Sequence, residues 1–163
     1  MHSIPHGYTH KDVLIAFALV IVSVASIVAS MHPLRRIAEQ RDELRETDVR
    51  NLMEMLVEMR YADAESFAGL VGSASNGKVM IGVGDDCSGS FGTQCNNGSL
   101  QDHCLNPYKF DSEAYLASIP VDPLHEVYSK AYTGYYLEQN DGVLTVGACS
   151  PEARDQVMLF YQL

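Results

Sequence analysis

The run from Val13 to Met31, VLIAFALVIVSVASIVASM, limits what this chain can fold into more than any other stretch. Its nineteen residues include no charge, no proline and no glycine. As a helix rising about 1.5 Å per residue it reaches roughly 28 Å, the depth of the hydrocarbon core of a bilayer. Its polar members are Ser23, Ser26 and Ser30, whose hydroxyls can bond back to carbonyls one turn earlier. The pattern predicts a membrane-inserted helix. A cleaved secretory signal would have a shorter apolar run with a small-residue site behind it. Here His32-Pro33-Leu34-Arg35-Arg36 follows, so the run is expected to stay as an anchor.

With 163 residues, the chain has room for that anchor and one small globular domain. Eleven basic against twenty-one acidic side chains give a formal charge of −10. That charge repels phosphate backbones, so duplex nucleic acid is not an expected partner. Cys87, Cys95, Cys104 and Cys149 all follow the anchor. An even number in a loop-rich region predicts two disulfides, with three possible pairings, in an oxidising compartment. Spacings of 7, 8 and 44 intervening residues form no zinc knuckle, although His103 stands beside Cys104, and no Cys-x-x-Cys redox pair is present. Flanking charge argues the other way on topology. Lys11 precedes the anchor, whereas Arg35, Arg36, Arg41 and Arg45 follow it, a bias that places the following segment in the cytoplasm.

Residues 33 to 59 continue as a helix, with Pro33 at a point where a helix can bend or restart. Leu34, Ile37, Leu44, Val49, Leu52, Met53, Leu56 and Met59 fall on or near one stripe at spacings of three, four and seven. The opposite face, with Glu39, Arg41, Asp42, Glu43, Arg45 and Glu46, is expected to be solvated. Tyr61 to Val71 adds a turn or two before Gly72 and the run Ser73 to Gly77 end it. From Lys78 the pattern changes to strands and loops. Lys78 to Val83 is a first strand, Gly84 to Leu105 a loop holding three cysteines, and Asp111 to Leu116 a helical turn. The prolines of Ile119-Pro120-Val121-Asp122-Pro123 make a rigid connector. Tyr132 to Glu138 and Val143 to Ala148 flank Gln139-Asn140-Asp141-Gly142, a hairpin signal with Asp-Gly in the turn. Val157 to Tyr161 is a last strand. Together these elements predict an α+β domain with the helix covering one side of the sheet.

The residues ahead of the anchor, His6-Gly7-Tyr8-Thr9-His10-Lys11-Asp12, resemble the type III leader of type IV prepilins and pseudopilins. In that family a Gly is followed by an aromatic, a Thr and, five places on, an acidic residue that opens a long hydrophobic helix. Tyr8 stands for the usual Phe, Asp12 for the usual Glu, and His10-Lys11 for two apolar residues. The connector and hairpin, with Pro151-Glu152, also look like pilin C-terminal domains. The resemblance implies a pilin-like fold: a long N-terminal helix, half membrane and half amphipathic, packed on a small antiparallel sheet. It divides the chain into a leader (1–7), a transmembrane and assembly helix (8–32), its amphipathic continuation (33–71) and a β-rich globular domain with disulfides (72–163). It further implies cleavage after Gly7 by a prepilin peptidase and N-methylation of Tyr8. Asp12 would pair with the Tyr8 amine of a neighbouring subunit, since one carboxylate among apolar helices needs a partner. Lys11 offers it a local ion pair instead. Lipid before assembly, an inner-membrane assembly platform and other copies of the chain are the implied partners. The C-terminal domain would lie outside the cytoplasm, in a periplasmic or extracellular filament. Of the three cysteine pairings, Cys87–Cys95 with Cys104–Cys149 would tie the long loop to the hairpin end, as in the disulfide-bounded region of many pilins.

Further chemistry is sparse. Asp85 and Asp86, or Asp122 and Asp141, are candidate Ca²⁺ ligands like those in some pseudopilin loops, without a D-x-D-x-D-G pattern; no other cofactor is expected. His2, His6 and His10 recur every fourth residue, but Pro5 interrupts any helix there. Asn97-Gly98-Ser99 matches the glycosylation triplet. No nucleophile elbow, phosphate loop or H-E-x-x-H helix occurs, and an enzyme is not expected. Tyr128, Tyr132, Tyr135 and Tyr136 are expected in the sheet and core, with an exposed adhesive patch as the other reading. The expected function is a structural subunit of a type IV pilus-like filament or a type II secretion pseudopilus. The alternative is a single-pass anchored binding or sensor domain.

Overall fold

A computed structural model describes residues 9–30, 33–75, 77–84, 87, 94–95, 98–110, 115 and 118–163. The chain divides into two compact units, Met1–Ile37 and Ala38–Leu163. In the first, helix α1 spans His10–Ser30. The segment His10–Ile27 is long and apolar enough to cross a membrane, and every side chain in it is exposed. Two of its serines bond back as their spacing predicts, Ser23 Oγ to the Leu19 carbonyl and Ser26 Oγ to the Val22 carbonyl, each at 2.8 Å.

Helix α2 covers Pro33–Ala62. Proline suits a first helical position because the amide it lacks would have no partner there. Most of α2 belongs to the second unit. The expected continuation to residue 71 is broken at Asp63, which caps a separate helix, α3 (Ala64–Gly72), by accepting the Ser66 N–H at 3.1 Å.

The strands are β1 (Val79–Ile81), β2 (Gln94–Cys95), β3 (Gly98–Ser99), β4 (Cys104–Leu105), β5 (Tyr135–Asn140), β6 (Val143–Ala148) and β7 (Met158–Gln162). Five of them form one sheet in the order β4-β1-β5-β6-β7, and β2 pairs with β3 alone. The expected all-antiparallel sheet is corrected at one edge, where β4 lies parallel to β1. A parallel neighbour needs a long crossover, and residues 82–103 supply it, so the segment expected to be plain loop contains three short strands. A 3₁₀ turn at Pro107–Phe110 precedes the expected helical turn, of which Asp111 to Ala114 and Leu116 lie outside the described residues. The β5–β6 hairpin is where Asp-Gly predicts it: Asp141 (φ 48°) and Gly142 (φ 78°) occupy the left-handed region that a two-residue turn of this twist requires. Strand β5 starts at Tyr135 rather than Tyr132, because residues 129–132 close a tight bridged turn.

Alternation along the strands builds a core on each face of the sheet. Val79, Ile81, Tyr135, Leu137, Leu144, Val146 and Ala148 meet Val49, Leu52, Leu56 and Met59 of α2 and Leu70 of α3. Met80 and Tyr136 point the other way, into Cys87, Cys95, Leu100, Tyr128 and Cys149. Tyr136 lies across Gly147, its pairing partner on β6, where an added Cβ would come within 2.6 Å of the phenol. Lys78 Nζ sits 4.9 Å from the same ring.

The predicted α2 stripe is half right. Val49, Leu52, Met53, Leu56 and Met59 are buried, but Leu34 is 80% exposed, Leu44 56% and Ile37 44%. The buried positions N-terminal to Val49 are Arg45 and Asp42, both fully inaccessible. The face expected to be solvated is therefore partly interior.

Candidate functional site

At the head of α1, Thr9 and Asp12 cap each other. Asp12 Oδ2 accepts the Thr9 N–H at 2.9 Å and the Thr9 hydroxyl at 2.8 Å, and the Asp12 N–H reaches the Thr9 Oγ1 at 3.4 Å. This reciprocal arrangement satisfies amides that the first helical turn would otherwise leave without partners. The local hold on the Asp12 carboxylate comes from Thr9. Gly7 and Tyr8, the expected processing residues, lie outside the described residues, as do His2 and His6. His10 is the first residue of α1.

A second constellation, not anticipated from the sequence, surrounds Arg45. Its Nε and Nη2 hold Asp122 Oδ2 and Oδ1 at 2.7 and 2.9 Å. Its Nη1 reaches Asp42 Oδ1 at 2.7 Å and Glu152 Oε2 at 2.9 Å. Arg41 holds Glu152 from the outer side. Asp42 in turn accepts the backbone N–H groups of Glu152, Ala153 and Arg154, the last two at 2.7 and 2.9 Å. Asp122 accepts the Leu124 N–H at 2.9 Å, and its own N–H donates to the Thr133 carbonyl. Gly134, at φ +84°, lets this segment approach: a Cβ there would stand 2.8 Å from the Asp122 Cβ. The cluster pins two segments without regular structure, 122–124 and 152–154, to the side of α2.

Charge and geometry account for the protonation states. Burial opposes the charge on Arg45, but Asp122 and Asp42 outweigh it and push the guanidinium higher still. Burial would raise Asp42, yet the backbone N–H groups of residues 152–154 and Arg45 hold its carboxyl below the usual range. Glu152 is held low against its own burial by Arg41 and Arg45. One turn along α2 the balance reverses. Asp48 is raised by burial despite accepting the Tyr135 hydroxyl at 2.6 Å, and burial and Asp48 together raise the phenol.

The four cysteines form two disulfides, but not the local pair: Cys87 bonds Cys104, and Cys95 bonds Cys149. Strand β2 places Cys95 at the end of β6, where Cys149 is buried, and this closeness in space overrides nearness in sequence. The bridges close 17 and 54 residues, each worth about 3–4 kcal/mol in the chain-entropy model. In this state the sulfurs are not the thiolates that ligate zinc; His103 is exposed beside Cys104. Of the candidate Ca²⁺ ligands, Asp122 is occupied by Arg45, Asp141 sits in the exposed hairpin turn, and Asp85 and Asp86 lie outside the described residues. No group of three metal-ligating side chains occurs among the described residues. Asn97 is also outside them, and Ser99 is in β3. Tyr128, Tyr135 and Tyr136 are buried and Tyr132 half-buried, so that cluster is core rather than surface.

Surface grooves occur among the described residues. One of about 320 Å³ is lined by Arg50, Met53, Glu54, Val57, Glu58 and Leu159. Another, about 360 Å³, lies between Arg41 and the turn Pro123 to Val127. The Arg45 cluster had a legible signal: stepping back from Met59 by three and four gives Leu56, Leu52, Val49, Arg45 and Asp42. No known protein family, curated protein or solved structure matches this chain.

Proposed function

We propose that this chain is a membrane-anchored structural subunit of a type IV pilus-like or pseudopilus filament, processed after Gly7 and assembled through α1. The observation that carries the reading is the state of α1. From His10 to Ile27 every side chain of an apolar helix is exposed, so a bilayer or neighbouring helices must cover it. Its one carboxylate stands at the N-terminal end of that surface. Thr9 engages Oδ2 of Asp12, and Oδ1 is the atom that would receive the Tyr8 amine of an adjacent copy. Two disulfides in the domain that follows the anchor support an extracytoplasmic position, because such bridges persist in oxidising spaces.

The test is the intact mass and N-terminal peptide of the mature protein, measured without reduction. The expected product starts at N-methylated Tyr8. A chain that retains residues 1–7 would overturn filament processing and leave the second reading, an anchored binding or sensor domain.

A further inference from the structure

We propose that β7 is a docking edge for a second copy of this chain, the two β7 strands pairing antiparallel about Phe160 into one sheet across a twofold axis. The inference concerns the globular unit and does not depend on the filament reading.

Backbone direction comes first. The Leu163 N–H donates to the Gly142 carbonyl, and the Val157 carbonyl accepts from Ala148. Odd-numbered residues of this strand therefore turn their backbone groups toward β6. Alternation sends the N–H and C=O of Met158, Phe160 and Gln162 to the outer edge. Arg60 Nη1 approaches the Gln162 carbonyl there, at 3.4 Å. Edge strands normally carry a charge, a proline or a bulge, or are very short, so that they do not recruit a partner. The opposite edge obeys: β4 has two residues, and Cys104 ties it down. Strand β7 does not. Met158-Leu159-Phe160-Tyr161-Gln162 is neutral and proline-free, and Phe160 at its centre is 66% exposed.

The edge is also self-complementary. With Phe160 on the axis, each Phe160 exchanges hydrogen bonds with its twin, and Met158 does so with Gln162 of the second copy, about six bonds in all. Leu159 then faces Tyr161 of the second copy in the close, non-hydrogen-bonded register, beside the groove formed by Met53, Val57 and Leu159. Charge fits the same symmetry. Helix α2 runs alongside β7 in the same direction, with Glu46 bonded to Arg154 before the strand and Arg60 at Gln162 by its end. Antiparallel pairing brings the Arg60 end of one copy to the Glu54 end of the other. On a chain of net charge −10, a neutral strand with a mixed-sign rim is where two copies can meet without repulsion.

The experiment uses the full chain in neutral detergent, with light scattering for mass and residue-resolved hydrogen exchange by NMR. The expected result is a dimer in which the amides of Met158, Phe160 and Gln162 slow by at least about tenfold between dilute and concentrated samples. Those of Leu159 and Tyr161, bonded to β6, stay slow throughout. Phe160→Lys, which opposes two cations across the axis, should return the monomer mass and fast exchange at Met158 and Gln162, with both disulfides intact. Leu44→Lys, an exposed apolar site on α2 away from the edge, should leave the dimer unchanged. A monomer at every concentration overturns the proposal. So does a dimer whose edge amides ignore concentration, which would place association elsewhere, or a Phe160→Lys dimer as tight as the parent.

Discussion

Between Val49 and Met59, α2 buries Val49, Leu52, Leu56 and Met59 against the sheet. One and two turns earlier the same stripe carries Arg45 and Asp42, and these are as inaccessible as the leucines. The two stretches share a register and differ in what lies opposite. The apolar stretch meets β-strands, whose backbone groups are already paired within the sheet. The charged stretch meets segments 122–124 and 152–154, whose amides need acceptors that a strand ladder would have provided. Asp42 supplies them for residues 152–154 and Asp122 for Leu124, and Arg45 neutralises both carboxylates. Burial on this helix thus follows position, and residue type follows the bonding needs of the facing backbone.

The sharpest way to break that equivalence is Arg45→Ala. It leaves two buried carboxylates without their cation, a change that typically costs about 3–5 kcal/mol. The midpoint of urea unfolding, followed by circular dichroism, should fall accordingly. A loss under about 1 kcal/mol, the range of exposed ion pairs, would mean that water reaches the cluster. Leu52→Ala probes the apolar stretch by the same measurement. Truncation of a fully buried leucine should cost about 2–5 kcal/mol, from lost transfer energy and the cavity left behind. The charged site is expected to be the more sensitive of the two, because a cavity can partly collapse whereas a stranded charge cannot.

Part of this fold is legible in the sequence itself. The apolar span, the α2 helix, the Asp-Gly hairpin and the last strand were legible because each follows from a local rule: a period, a turn residue, a length. The serine back-bonds of α1 were legible for the same reason. What was not legible depends on distant residues. Leu34 and Ile37 stand about five turns before the buried Leu52 and Met55 on the same faces of the helix, yet they are exposed because they belong to the first unit; Leu44 is offset from the buried stripe by about one residue, a difference that an apolar count does not show. The cysteine pairing was hidden because loop closure depends only weakly on length, so the meeting of Cys95 with Cys149 depends on where β2 lies. The parallel placement of β4 was hidden for the same reason. The Thr9–Asp12 cap is legible as a Thr followed three residues later by an acid, a local use of the carboxylate for which the resemblance implies a partner in another subunit.

A gentler perturbation separates carboxylates by sign. Asp42 and Glu152 are held low in the folded chain. The stability they contribute is present above the unfolded carboxylate range, about pH 4, and is lost as pH falls through their folded values. Asp48 is held high by burial, so its contribution runs the other way: present at low pH and lost as pH rises through its folded value. Asp48→Asn removes that group and keeps an acceptor for the Tyr135 hydroxyl. The variant should be at least as stable as the parent at pH 7, and its advantage should shrink as pH is lowered toward 4 in urea titrations. An advantage that grows on acidification would show that Asp48 is stabilised as the anion.

The smallest expected effect is at Leu44, the apolar residue that the sequence placed in the core and the structure places in solvent, at 56% exposure. Exposed side chains away from caps and buried networks change stability by no more than about 0.5 kcal/mol when truncated, so Leu44→Ala should unfold with the parent in dilute detergent. The informative comparison is with Leu52→Ala in the same helix. Equal losses at both positions would mean that the outer stripe is covered in solution, and the division of α2 into one buried stripe and one exposed stripe would fail. A large loss at Leu52 with none at Leu44 would fix the register of the helix on the sheet. Leu44 would then stand as a surface leucine.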